Sequence, residues 1–363
     1  MSNRDICLFT NNVSPGVANL IRIIESAGRP FHVVADRKTT QPLADHDSCY
    51  PMIRDFKEEF LHSHSDDLSN SWSVLFFTWA HWVPYTKKQI DNLIQHINKA
   101  KRVILVYDGS FGSSKKRLIQ QVRDIIQFPN IFLKVNEVFY LTEYPTFDLF
   151  SLFRKRLPYH ASPMQAFIFD QSLSDCLFEN YDPYIKRKYL VTVAGTQGPE
   201  FRQKVFHELE NFIEKRNDVS TVSIDDTETE DSKLVLWAAY NKTLEFDPYF
   251  RAMRDSDFVF CLPGTYWTPR PVESTACGAI PVIGDDYLHS YDIPFQDGIN
   301  CVIIRSCKVI RNWSLALDRI LAFSDDEIQT MRKNIHNLRN TQLLPEMYVE
   351  RQKQRLGLQL LDA

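Results

Sequence analysis

Short runs of almost wholly apolar residues recur along the chain, each followed by a stretch with helical periodicity. In the first half they read ICLFT, FHVVA, SVLFFT and RVILVY. A strand with one wet face alternates polar and apolar residues, whereas a strand that is apolar throughout must be covered on both faces. Such strands alternating with helices specify a parallel sheet with helices on either side, an α/β architecture. The spacing predicts strands at Ile6 to Thr10, Phe31 to Ala35, Ser73 to Thr78, Arg102 to Tyr107 and, shorter, Glu137 to Leu141. The first helix carries its own punctuation. Ser14 suits the cap, Pro15 the first helical position, and Gly28 the end, with Val17, Leu20, Ile21 and Ile24 on one face. Further helices are expected at Lys87 to Lys99 and Lys115 to Ile126.

The rhythm breaks between about 160 and 187, where HASPMQ, FDQSLSD and FENYDPY are rich in turn formers. It then restarts. Strands are predicted at Tyr189 to Ala194, Ser220 to Ile224, Phe258 to Leu262, Ile280 to Ile283 and Asn300 to Ile304. Helices are predicted at Pro199 to Lys215, through the stretch 232–254, around Val272 to Cys277, across 309–340 and in the tail at 345–361. The expected organisation is a Rossmann-like domain over 1–165, a linker at 166–187, a second Rossmann-like domain over 188–340 and a terminal helix in 341–363. Two such domains imply a cleft lined by the loops at the carboxyl ends of the strands.

Several function classes drop out. No GxGxxG follows the first strand and no GxxxxGK[ST] occurs, which disfavours a dinucleotide-dependent dehydrogenase and a P-loop enzyme. The formal net charge of −4 and the absence of a basic stripe argue against nucleic acid as a partner. The seven cysteines form no CxxC pair and several lie within strand-like runs, so they read as reduced, buried thiols. The start of the chain lacks a secretory apolar region, and no run approaches the length of a membrane span. A soluble, cytoplasmic protein is expected.

The chemistry concentrates in DFVFCLPGTYWTPRPVESTACGAIPVIGDD, residues 257–286. A buried strand runs into Pro263-Gly264-Thr265, where glycine lets backbone approach a ligand. A helix then starts at Arg270, with Pro271 in its first turn. The helix N-terminus favours an anion such as a diphosphate, and the Arg270 guanidinium offers a forked donor array matched to phosphate. Glu273, one turn on, can accept from the two hydroxyls of a ribose. On spacing alone a second reading stands beside this one: Glu273 as a dipole-favourable first-turn acid and Arg270 as the partner of a neighbouring acid.

The same segment resembles the exostosin family of glycosyltransferases. The matching residues are Cys261, Pro263, Gly264, Thr268, Arg270, Glu273, Gly278, Ile280, Pro281, Val282, Pro294 and Phe295, preceded by Tyr249, Met253 and Ser256. Further back, YLVTVAGTQGPEFRQKVFHEL is similar to the family's strand, glycine and arginine-bearing helix, and places Gly195 and Arg202. One departure is Ala279 after Gly278, where the family has Cys; here Cys277 precedes the glycine. The resemblance covers residues 189–296 and implies a GT-B fold, two Rossmann-like domains facing across a cleft. It also implies inverting transfer from a nucleotide sugar, a UDP-sugar, to a glycan acceptor. Family members are mostly membrane-anchored in the secretory pathway, so a cytoplasmic enzyme of bacterial or viral type is the expectation here.

On that reading Arg202 is a second clamp on the diphosphate, with Gly195 and Thr196 in the same donor loop. No metal or other cofactor is expected, because Arg202 and Arg270 supply the positive charge. The general base is left between Asp108, which follows the strand RVILVY, and His81, after SVLFFTWA; Glu143 is a third option. Trp79 and Trp82 are either a sugar-stacking platform or a core aromatic cluster. Asp255-Ser256-Asp257 spells a metal-type DxD, yet it leads into a buried strand and is read as local capping. Of Asp285 and Asp286, one is expected to reach the cleft. The alternative function is a non-catalytic nucleotide-sugar-binding protein of the same fold.

Overall fold

The computed structural model describes residues 6–11, 15–28, 31–35, 71–79, 85–107, 114–140, 149, 155–156, 177–178, 181–196, 200–223, 235–240, 246–262, 270–291 and 293–358. The chain divides into two compact units, Met1–Asp170 with Val349–Ala363, and Gln171–Tyr348.

The first unit is built on β1 (Ile6–Thr10), β2 (Phe31–Ala35), β3 (Trp72–Trp79), β4 (Ala100–Tyr107), β5 (Glu137–Tyr140) and β6 (Lys155–Arg156). They pair in parallel in the order β2-β1-β3-β4-β5-β6. Every residue of β1 is buried, as its unbroken apolar run requires. Helices α1 (Pro15–Glu25), α2 (Lys87–Lys99), α3 (Ser114–Gln127) and the single turn α4 (Pro129–Phe132) connect them. Pro15 opens α1, which carries Val17, Leu20, Ile21 and Ile24 to the core, and Gly28 closes it at φ +69°. The start of α2 is a capping box: Thr86 accepts from the Gln89 N–H at 3.3 Å, and Gln89 returns an acceptor to the Thr86 N–H at 2.7 Å.

The second unit contains β7 (Tyr189–Thr196), α5 (Glu200–Glu214), β8 (Thr221–Ser223), β9 (Val235–Tyr240), α6 (Phe246–Arg254) and β10 (Ser256–Phe260). It continues with α7 (Arg270–Ala276), β11 (Ile280–Gly284), a 3₁₀ turn at Asp285–Ser290, β12 (Val302–Ile304), α8 (Arg311–Ala322) and α9 (Asp325–Leu338). A π-helical turn, Arg339–Leu343, leads to α10 (Pro345–Leu356). The strands again pair in parallel, in the order β12-β11-β10-β7-β9-β8. Where the chain rejoins the first unit, Arg102 donates to Leu356 O at 3.1 Å while its Nε holds Glu137 of β5 at 3.1 Å.

One expected helix is in part a strand. The sequence predicts a helix throughout 232–254, but Val235–Tyr240 is β9, inserted between β7 and β8. A short apolar run has no periodicity to separate a buried strand from a buried helix. The valine and the aromatic residues of VLWAAY suit a pleated sheet, and only Phe246–Arg254 is helical.

Candidate functional site

Each sheet has one place where successive connections leave in opposite directions. In the second unit the chain goes from β7 towards β9 and β8, then returns to β7's other side to build β10, β11 and β12. The switch point lies between β7 and β10, and ligands of open α/β sheets bind at the carboxyl ends of the strands there. Arg202 stands in the first turn of α5, after β7, and Arg270 opens α7, after β10. The topology therefore brings together two arginines that lie 68 residues apart in the sequence.

Both side chains are buried, at 7% and 9% exposure, and each lies in the other's field. Burial, and then the charge of Arg270, draws the Arg202 guanidinium down to about 10. Arg270 Nη1 donates to Leu262 O at 3.2 Å, which ties the helix start to the end of the strand. All seven residues of α7 are buried, and Ser274 and Thr275 turn their hydroxyls onto carbonyls of its first turn.

Glu273 is the acid of this group. It is 2% exposed and accepts from the Tyr249 hydroxyl of α6 at 2.7 Å. Burial pushes its carboxyl up to about 7, against the opposing pull of Tyr249 and Arg270. Burial, and then the Glu273 charge, raises the Tyr249 phenol well above its usual range. Two buried guanidiniums and one buried carboxyl thus gather with the Tyr249 phenol. An anion binding beside them would gain charge-assisted hydrogen bonds in a low-dielectric setting.

Other expected site residues are placed less fully. Gly195 and Thr196 are the last residues of β7, paired with Ala239 and Tyr240. Pro263, Gly264, Thr265 and Thr268 lie outside the described residues, as do Asp108, His81, Glu143 and Trp82. Trp79 is a core residue rather than a sugar platform: it is 7% exposed and packs edge-on against Phe128 and Phe132.

In Asp255-Ser256-Asp257 the Ser256 hydroxyl caps the end of α6, donating to Ala252 O at 2.8 Å, while Asp257 reaches further. Asp257 is buried and sits 3.4 Å from Arg332 Nε of α9, so it anchors that helix to the sheet. Asp285 and Asp286 are also engaged locally. Asp285 accepts the Ser306 and Cys307 N–H groups, and Asp286 pairs with Lys308 at 2.7 Å. Their ligand atoms and the Cys307 sulfur lie within 4.8 Å of one another, but burial holds that thiol protonated, at about 11.

Two groups went unassigned in the sequence. Tyr249 belongs to the exostosin-like pattern, which by itself gives it no role. At the first unit's switch point, between β1 and β3, the Thr10 and Thr78 hydroxyls meet at 2.8 Å, and Tyr85 donates to Thr78 O at 2.6 Å. The signal was there: the runs ICLFT and SVLFFT each close on a threonine.

Among the described residues no helix is long and apolar enough to cross a membrane. No family model and no curated protein matches the chain. Solved structures do. The E. coli trehalose-6-phosphate structure bound with UDP-2-fluoro glucose is similar at TM-score 0.53 and 9% identity, over 97% of this chain and 98% of that one. A glycosyltransferase from Rickettsia africae is similar at TM-score 0.52 and 8% identity, over 98% and 99%. The α,α-trehalose 6-phosphate synthase of Burkholderia multivorans gives TM-score 0.52 and 8% identity, over 99% and 97%. At such identities the likeness is one of fold: two Rossmann-like units, the GT-B class of α/β architecture.

Proposed function

We propose that this chain is an inverting glycosyltransferase that moves a sugar from a UDP-sugar to a hydroxyl of a glycan acceptor. The observation that carries the reading is the buried Arg202–Arg270 pair beside Tyr249–Glu273, at the carboxyl ends of β7 and β10. Both guanidiniums are buried and Arg202 feels the charge of Arg270, so an anion brought to this place is attracted to both. A diphosphate suits both, and it is also the group on which charge develops as the glycosidic bond breaks. Glu273 orients the ribose. A neighbouring fold bound with UDP-2-fluoro glucose supports a uridine nucleotide as the donor's leaving group. The exostosin-like assignment rests on the residue pattern from Cys261 to Phe295.

In the reaction the acceptor oxygen bonds to the anomeric carbon as the bond to the diphosphate breaks. The electron pair leaves on UDP, and the acceptor proton passes to Asp108 or His81. Arg202 and Arg270 take the place of a metal.

UDP should raise the melting temperature of the purified chain, since a ligand that binds only the folded state stabilises it by mass action. A panel of nucleotides at millimolar concentration that gives no shift would sink the donor-site reading. Transfer should persist in EDTA; complete loss with recovery in Mn²⁺ would overturn metal independence. Asp108→Asn should abolish transfer with UDP binding intact, and if only His81→Ala does so the base is His81. A chain that binds UDP and UDP-sugars but transfers to no acceptor is instead a non-catalytic nucleotide-sugar-binding protein.

A further inference from the structure

Helix α3 packs Ile125 against the core of the sheet, yet it also turns two polar residues inward and three large apolar residues outward. Gln121 is fully buried and Asp124 is 3% exposed, whereas Ile119, Val122 and Ile126 are 45%, 39% and 74% exposed. Both inward groups are engaged. Gln121 accepts from the Leu149 N–H at 2.8 Å, and Asp124 takes hydrogen bonds from Gln120, Trp79 and Tyr107. Positions 119, 122 and 126 follow one line along the helix, i, i+3 and i+7. Just beyond α4, Leu133 adds a further side chain that is 65% exposed.

The charge of this segment has one sign. From Ser114 to Lys134 the sequence holds Lys115, Lys116, Arg117, Arg123 and Lys134 but a single acid, the buried Asp124. Arg123 and Lys134 are exposed. An apolar stripe bordered by cations is how a helix lies in the interface of a membrane with acidic headgroups.

We infer that α3 and the turn after it dock the first unit on an anionic lipid bilayer. Ile119, Val122, Ile126 and Leu133 enter the boundary between headgroups and acyl chains, and the basic side chains meet the lipid phosphates and carboxylates. Charge separates this from self-association: a symmetric contact between two copies would lay one basic face against its equal.

The test is co-sedimentation of the full chain with vesicles of phosphatidylcholine alone and of phosphatidylcholine mixed with phosphatidylserine. Binding to the mixed vesicles should exceed binding to the neutral ones by about tenfold or more at low salt, and should weaken as salt rises. Ile126→Glu with Leu133→Glu should lose that binding by about tenfold or more. Because both positions are exposed, the variant's melting temperature should match that of the parent. Arg123→Glu with Lys134→Glu should lose it too while leaving the apolar stripe in place. Failure of the parent chain to sediment with mixed vesicles at low salt overturns the inference, as does a double variant that sediments like the parent. If light scattering finds the parent dimeric and the Ile126→Glu, Leu133→Glu variant monomeric, the face is a contact between copies and the lipid assignment falls. None of these readouts depends on the donor site.

Discussion

The Tyr249 hydroxyl donates to the Glu273 carboxyl across 2.7 Å, joining α6 to α7 inside the cluster that contains Arg270. The bond does two things. It satisfies a carboxyl that burial would otherwise leave costly to ionise, and it leaves that carboxyl poised near neutrality, at about 7. A group so placed can change its charge when a ligand brings an anion or a hydroxyl pair to the site.

The first expected outcome concerns stability against pH. The Glu273 carboxyl is raised from its ordinary 4.5 to about 7 in the folded chain. Between those values the folded chain holds a proton that the unfolded chain has released. Stability from this group is therefore complete below 4.5 and is lost as pH rises to about 7, on the order of 3 kcal/mol. Glu273→Gln should flatten that part of the profile. Melting temperatures of both chains across this window check it, and parallel profiles would refute the assignment.

Arg270→Ala should weaken UDP binding by about 1.5–3 kcal/mol, the worth of a charge-assisted hydrogen bond to phosphate, or roughly 10- to 150-fold. Arg202→Gln should act in the same direction, and the double variant should show less than the sum, because the two charges interact. Calorimetric titration with UDP reads all three. Wild-type affinity in either single variant would remove that arginine from the donor site.

How much of this was legible before the structure follows from what each signal depends on. The strands ICLFT and SVLFFT and the helix opened by Pro15 were readable because burial on two faces and capping are local demands on sequence. Val235–Tyr240 was misread because a six-residue apolar run satisfies strand and helix alike; only its partners β7 and β8 decide. Arg270 and Glu273 were visible as a spaced pair, but Tyr249 gained a role only when folding set α6 against α7. The partner of Asp257, Arg332, lies 75 residues away, and nothing local in the sequence announces it.

Gly278 has φ +77°, and a Cβ there would overlap the Tyr181 ring. Two separate penalties meet at one residue, a left-handed backbone and a filled space. Gly278→Ala should therefore destabilise the second unit by about 2 kcal/mol or more. Gly278→Ala combined with Tyr181→Ala should keep the backbone penalty and shed the steric one, so its loss should fall below the sum of the two single changes. Urea unfolding of the three variants distinguishes the terms, and strict additivity would mean that the ring simply moves aside.

The last prediction tests the Asp257–Arg332 pair. Asp257 begins β10 and Arg332 lies on α9; their 3.4 Å contact is ionic, longer than a good hydrogen bond, and both residues are less than 10% exposed. Burial draws the Asp257 carboxyl up to about 6, with Arg332 and then Arg187 pulling the other way. Removing the arginine alone leaves a buried carboxylate that has lost its nearest cation, so Arg332→Met should cost about 3–5 kcal/mol at pH 7.5. Asp257→Asn in the same background removes the charge and should recover part of that loss. The coupling energy from the double-mutant cycle should be roughly 1–3 kcal/mol. The cost of Arg332→Met should also shrink as pH falls to about 6, because without the cation Asp257 takes up its proton at a higher pH than in the parent. A cost that does not change with pH, together with additive losses, would mean that Arg332 acts through its hydrogen bond to Ile185 O and that the ion pair contributes nothing to holding α9 on the sheet.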